Sequence, residues 1–141
     1  MDRGRDRSND ALIRGYLGAF STGEPTSVSA FVADDFVNEH FGMLGGGCTG
    51  KAAYEERLAG FLKSFQNLRY EITGLCSNEA SGSARYQMHF RQDGKDFMVP
   101  GIMWFELKDG AIAKRTDCWD GLVYLKQAGT DASAVAAMLA P

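Results

Sequence analysis

Apolar residues at helical spacing fill the first half of the chain, strict two-residue alternation fills most of the second, and tight-turn dipeptides separate the alternating runs. These three features predict an α+β fold, helices first and then a meander of long strands. A strongly curved antiparallel sheet wrapped around the N-terminal helices, forming a cone with an apolar pocket, accommodates both halves. Residues 1–9 read as a flexible N-terminal tail, 10–129 as one domain and 130–141 as a C-terminal helical extension.

Ser8, Asn9 and Asp10 offer N-caps for a first helix whose stripe is Leu12, Tyr16, Ala19 and Phe20, widened by Ile13 and Leu17. Gly23 and Pro25 end it. Thr26 or Ser27 can cap a short second helix carrying Val28, Phe31 and Val32. Phe36 to Phe41 alternates as a first strand, and the glycines between Gly42 and Gly47 mark a flexible loop. That loop is no phosphate cradle, because Gly50-Lys51 is followed by Ala52. Thr49 opens a third helix with a one-sided stripe of Tyr54, Leu58, Phe61, Leu62 and Phe65.

Leu68 to Leu75 then alternates, as do Ala84 to Arg91, Lys95 to Leu107 and Ala111 to Trp119. Asp93-Gly94 is a strong hairpin signal, and Lys108-Asp109-Gly110 makes a second turn. Leu122, Val123, Leu125 and the alanine-rich segment from Asp131 to Ala140 suit short terminal helices.

A two-residue turn at Asp93-Gly94 fixes a register. Gln92 faces Lys95, Phe90 faces Phe97, Met88 faces Val99, Tyr86 faces Gly101 and Ala84 faces Met103. The inner face becomes almost wholly apolar, with Phe105 continuing it. Arg85, Gln87, His89 and Arg91 fall outside, together with Met98, Ile102 and Trp104. Three large apolar groups on an outer face predict a homodimer through the convex side of the sheet.

The 141 residues carry a net charge of −3 and a pI near 5.3, a balance that argues against nucleic acid as a partner. Hydrophobic residues make up 45%, a globular share. No apolar run approaches the about 18 residues a membrane span requires. The charged start Met1-Asp2-Arg3-Gly4-Arg5 has no hydrophobic segment behind it, so a cytoplasmic protein is expected. Cys48, Cys76 and Cys118 are too dispersed for a disulfide framework or a metal site, and reduced thiols are expected.

Four stretches, taken in order, resemble the SnoaL-like branch of the nuclear transport factor two-like superfamily, which also contains polyketide cyclases, ketosteroid isomerases and limonene epoxide hydrolases. They are Tyr16 on the first helix ahead of Ala33-Asp34-Asp35-Phe36-Val37-Asn38-Glu39-His40; Thr49-Gly50-Lys51; Phe65-Gln66-Asn67-Leu68-Arg69; and Phe105 to Ile112 with Thr116-Asp117-Cys118-Trp119-Asp120 and Gln127-Ala128-Gly129. The resemblance implies a hydrophobic small-molecule ligand, no cofactor and no metal. It turns Arg115, Asp117 and Trp119 inward.

Asp117 matches the acid or base of resembling cyclases and epoxide hydrolases, and a carboxylate facing an apolar cavity suits proton transfer. His40 falls where the isomerases carry their base, and imidazole can serve near pH 7. Tyr16 matches the isomerases' oxyanion-binding tyrosine. These three are the catalytic candidates. Asn38 and Tyr86 are expected to hydrogen-bond a substrate, and Met88, Val99, Met103 and Trp119 to form its apolar wall. Blander roles compete: Asp117 as a strut on Arg115, His40 at a pocket rim, Tyr16 as core.

Departures narrow the chemistry. Met103 stands where the isomerases place a second oxyanion acid and where some cyclases place a histidine. Epoxide hydrolases need an inward Arg-x-Asp pair on the strand before the Asp-Gly turn, where this chain turns Ala84, Tyr86 and Met88 inward. Acid–base chemistry of cyclase or isomerase type on a hydrophobic carbonyl compound is the leading expectation. A non-catalytic binding protein, an epoxide hydrolase-like enzyme or an adaptor acting through the outer sheet face are the alternatives.

Overall fold

The computed structural model describes residues 6–141, so part of the expected tail lies outside the described residues. Helix α1 spans Arg7–Ala19 and starts earlier than Ser8, Asn9 or Asp10 would place it. Its N-cap is Asp6, whose carboxylate accepts from the backbone amides of Ser8 and Asn9 at 2.9 and 3.3 Å. The Asp6 amide donates to the Ser77 carbonyl at 3.0 Å, and the Ser77 hydroxyl donates to Asp10 at 2.5 Å, which ties the helix to the sheet. A single 3₁₀ turn, Phe20–Thr22, closes on Gly23 at φ 72°.

Helix α2, Pro25–Ser29, begins with proline at its first turn and Glu24 as N-cap rather than with Thr26 or Ser27. Val32, expected in this helix, instead starts strand β1, Val32–His40. Thr49, expected to open the third helix, pairs with Val37 in the two-residue strand β2, Cys48–Thr49. Helix α3, Lys51–Ser64, follows from Gly50, whose φ of 96° suits only the chain reversal needed there.

Four long strands complete the sheet: β3 Gln66–Ser77, β4 Ser81–Gln92, β5 Lys95–Lys108 and β6 Ala111–Trp119. Helices α4, Gly121–Gln127, and α5, Ala132–Leu139, end the chain. The spatial order is β2-β1-β6-β5-β4-β3. All neighbours are antiparallel except β1 and β6, which run parallel. β1 is entered from α2 and left toward α3, so no hairpin fixes its direction against β6. No described helix is long and apolar enough to cross a membrane.

The hairpin register is the expected one along its whole length, from Gln92 opposite Lys95 to Ala84 opposite Met103. Asp93 and Gly94 have φ of 51° and 74°, the two positive values of a type I′ turn, and Asp109-Gly110 repeats them at 52° and 74°. Register alone therefore sorts the faces. Ala84, Tyr86, Met88, Phe90, Phe97, Val99, Met103 and Phe105 are buried in the core. Arg85 and His89 lie on the other side, where Arg85 bonds Thr73 and the His89 Nε2 lies 3.0 Å from Glu71. Met98, Ile102 and Trp104 remain about half exposed there.

One inward position is empty by design of the register. Gly101 sits opposite Tyr86, and any Cβ at 101 would collide with the Tyr86 hydroxyl. The phenol crosses β5 at this gap and reaches β6. Gly101→Ala is expected to lower unfolding free energy by about 1–3 kcal/mol through overpacking. Urea denaturation measures this, and Tyr86→Phe in the same chain should recover part of the loss.

Candidate functional site

The register that opens Gly101 also assembles a buried polar cluster on β6. Arg115 and Asp117 are two residues apart, so their side chains share the inner face. Both are almost fully buried, at 4% and 3% exposure. Arg115 Nη2 donates to Asp117 Oδ2 at 2.7 Å, and the Tyr86 hydroxyl donates to Asp117 Oδ1 at 2.6 Å. Each carboxylate oxygen thus holds one donor and retains a free lone pair.

On its other side Arg115 Nη1 donates to the hydroxyls of Tyr16 and Tyr54 at 3.2 and 3.4 Å. The Tyr16 and Tyr54 hydroxyls share a short hydrogen bond. The guanidinium also lies over the Phe20 ring, 5.8 Å from its centroid. Burial on its own would weaken the guanidinium's hold on its proton, but the surrounding phenol oxygens and Asp117 outweigh it and keep Arg115 charged. Burial pushes the phenols of Tyr16, Tyr54, Tyr70 and Tyr86 upward, so all four keep their protons at neutral pH.

His40 ends β1 directly beside this cluster, because the parallel pairing puts it opposite Asp117. The Phe41 amide extends the ladder to the Asp117 carbonyl at 3.0 Å. His40 is half-buried. Burial first, and then the charge of Arg115, hold its imidazole below the ordinary value of 6.5. Its Nδ1 is sealed without a hydrogen-bond partner, and Gly45, at φ 92°, lies against that edge of the ring. Nε2 is the nitrogen left to a ligand.

These groups face a cavity of about 540 Å³. Its polar floor is Asn38, His40, Tyr54, Tyr70, Arg115 and Asp117. Its walls are Phe20, Leu58, Phe61, Phe65, Met88 and Trp119, and its rim carries Leu44, Gly45, Gly46, Arg57, Tyr124, Leu125 and Met138. Helix α4 delivers the rim because Asp120 caps it at the Val123 amide, 3.0 Å away. Tyr124 then stands edge-on to Trp119 at 5.5 Å and donates to Gln92 at 2.5 Å. A second, apolar recess of about 280 Å³ shares Leu44, Trp119, Leu125 and Met138 with the first. Among the described residues no three His, Cys, Asp or Glu side chains gather as a metal-binding set.

Of the residues singled out in the sequence, Asp117, His40, Asn38, Met88 and Trp119 line this cavity. Tyr16, Tyr86, Val99 and Met103 do not line it. Tyr16 lies behind Tyr54, with its ring edge-on to Phe20 and Phe105 at 5.3 and 6.0 Å. Tyr86 lies behind Asp117, and Val99 and Met103 are fully enclosed in the core between sheet and helices. Sequence reasoning placed Tyr54 in an apolar helical stripe, gave Tyr70 no role and passed over Arg57. The inward Arg115-x-Asp117 pair and a glycine in the middle of an apolar strand were the signals for the buried network.

Residues 13–115 match the SnoaL-like domain family, and the chain belongs to it. No curated protein matches the sequence. Solved structures share the fold at low identity. A protein with a ketosteroid isomerase-like fold from Catenulispora acidiphila, in complex with trimethylamine, superimposes with a TM-score of 0.78 at 17% identity over 86% of this chain and 95% of that one. A protein described as a polyketide cyclase from Xanthomonas campestris gives 0.75 and 22% over 87% and 97%. An LEH-like epoxide hydrolase of M. tuberculosis gives 0.76 and 17% over 93% and 96%. The chain is a SnoaL-like small-molecule pocket protein.

The ion pair makes Asp117 a structural as well as a chemical group. Asp117→Asn strands a buried guanidinium and should lower stability by about 3–5 kcal/mol. Replacing both partners, Arg115→Met with Asp117→Leu, should lose less than either single change. Urea titration of the three variants provides the comparison.

Proposed function

We propose that the protein is a cofactor-independent enzyme that moves a proton on a hydrophobic carbonyl compound, in a cyclisation or isomerisation. The observation that carries this reading is the pairing of His40 with Asp117 on adjacent strands, both lining one apolar cavity. His40, neutral because burial and Arg115 disfavour its cation, takes the proton α to the carbonyl through Nε2.

The oxygen of the resulting enolate then needs a donor. Tyr54 lines the cavity and Tyr16 stands behind it. If Tyr16 donates to Tyr54, the Tyr54 oxygen accepts from Tyr16 and Arg115, and its own O–H is left for the ligand. Tyr54 with Arg115 behind it thereby takes the oxyanion role that the sequence assigned to Tyr16. Asn38 adds a polar contact beside His40. Asp117 holds Arg115 in place, with Tyr86 fixing its far oxygen.

Deuterium exchange of 2-tetralone in D₂O, followed by NMR, tests the proton transfer without knowledge of the natural substrate. Exchange should be faster with the protein than with His40→Gln, and equal rates would sink the reading. Tyr54→Phe should slow it by about 10²-fold, and Tyr16→Phe by less. The rate should fall as pH drops through the His40 midpoint, which lies below 6.5, because the protonated imidazole has no lone pair to offer.

A second reading, binding without turnover, is favoured by the donors already present on both Asp117 oxygens. Recovery of an unaltered ligand after prolonged incubation, by mass spectrometry, would support it over catalysis. The half-exposed Met98, Ile102 and Trp104 support a dimer through the outer sheet face. Trp104→Glu should then shift the sedimentation coefficient to that of a monomer.

A further inference from the structure

The cavity's two guanidinium groups differ in one respect. Arg115 is answered by Asp117 at 2.7 Å. Arg57, on α3 one turn after Tyr54 and immediately before Leu58, faces the same cavity at its rim. It has no carboxylate partner among the described residues. Its Nη1 donates to the Gly47 carbonyl, which holds the side chain against the glycine loop and leaves its charge without a carboxylate partner.

The glycine-rich loop explains how the group is held there. A Cβ on Gly46 would press on Arg57 Nη2 at 3.2 Å, and one on Gly47 would collide with the Asn38 carbonyl. Side chains in this loop would push it off β1 and away from Arg57. The glycines that read as mere flexibility in the sequence allow the loop to lie flat between His40 and the guanidinium. Lining the cavity are then two arginines and one carboxylate, and that carboxylate is paired with Arg115. The remainder is one positive charge at the rim of an apolar chamber.

We propose that the ligand of this cavity is an acidic amphiphile, a hydrophobic molecule whose carboxylate pairs with Arg57 while its apolar body lies against Leu58, Phe61, Phe65 and Met88. The assignment rests on the cavity being the ligand site and adds the charge class of what enters it. A carboxylate is the matching anion because the guanidinium fork accommodates its two oxygens side by side. The apolar body contributes most of the affinity, and the rim charge decides between an acid and its neutral analogue.

Calorimetric titration with decanoate and with decanamide, which share the chain and differ in charge, tests this. The wild-type protein should bind decanoate roughly fivefold more tightly than decanamide. Arg57→Met should remove that preference, chiefly by weakening decanoate binding, and Arg57→Lys should retain a preference for the acid. Sodium chloride should weaken decanoate binding only. Equal affinity of the two probes for the wild-type protein, or a preference that survives Arg57→Met, overturns the charge assignment while leaving proton transfer on neutral ketones standing. Failure of both probes to bind overturns the cavity as a site for such ligands, whatever the exchange assay shows.

Discussion

A guanidinium shut away from water has to be answered by the protein around it, and Arg115 imposes that demand on two strands and two helices of this fold. The desolvation of an ion inside a protein costs several kcal/mol, and only close, well-directed partners offset it. Asp117 answers from the same strand, Tyr86 steadies Asp117 from two strands away, and Tyr16 and Tyr54 answer from two helices. The sheet, α1 and α3 are therefore held together by one polar cluster as well as by the apolar core. The cavity lies where these elements meet, so its polar floor is set by groups that also secure the fold.

This dual use shows in how fully the cluster is hydrogen-bonded. Asp117 takes hydrogen bonds on both oxygens, Arg115 has hydrogen-bonded partners on both terminal nitrogens, and the Tyr16 ring is held by edge-to-face aromatic contacts. Besides Arg115, whose Nε is also buried without a partner, the floor residues with an unpartnered buried polar atom are His40 and Asn38. Those two stand on β1, the strand that reaches β6 by parallel pairing. The fixed half of the site and its uncommitted half thus come from different strands, a division that suits a charged frame beside a responsive group.

Much of the architecture was legible because it rests on local rules. The alternation from Ala84 to Phe105 and the Asp93-Gly94 turn determine which side chains face inward, and a one-residue slip would expose Tyr86, Met88 and Phe90 together. His40 and Asp117 were legible through resemblance, and their juxtaposition follows from pairing between the first and last long strands. What could not be read was depth. Tyr16 and Tyr54 both occupy apolar stripes, and alternation says which face Met103 and Met88 share without saying which is covered by a helix. Arg57 gave no signal at all, since an arginine beside an apolar helical stripe is usually a solvated neighbour. The inward Arg-x-Asp pair that epoxide hydrolases carry before the turn is absent there, yet the same residue pattern appears inward on β6.

The parallel contact between β1 and β6 has one further meaning. Asn38 and His40 leave the ribosome long before Arg115, Asp117 and Trp119 exist, and α3 and four strands must be made in between. During that interval β1 has no sheet neighbour on its β6 side, and its inward groups face no chamber. Contacts so distant along the chain close late, since loop entropy is lost before they form. The pocket consequently needs both ends of the chain, and one interrupted before β6 lacks the Arg115 and Asp117 of its floor.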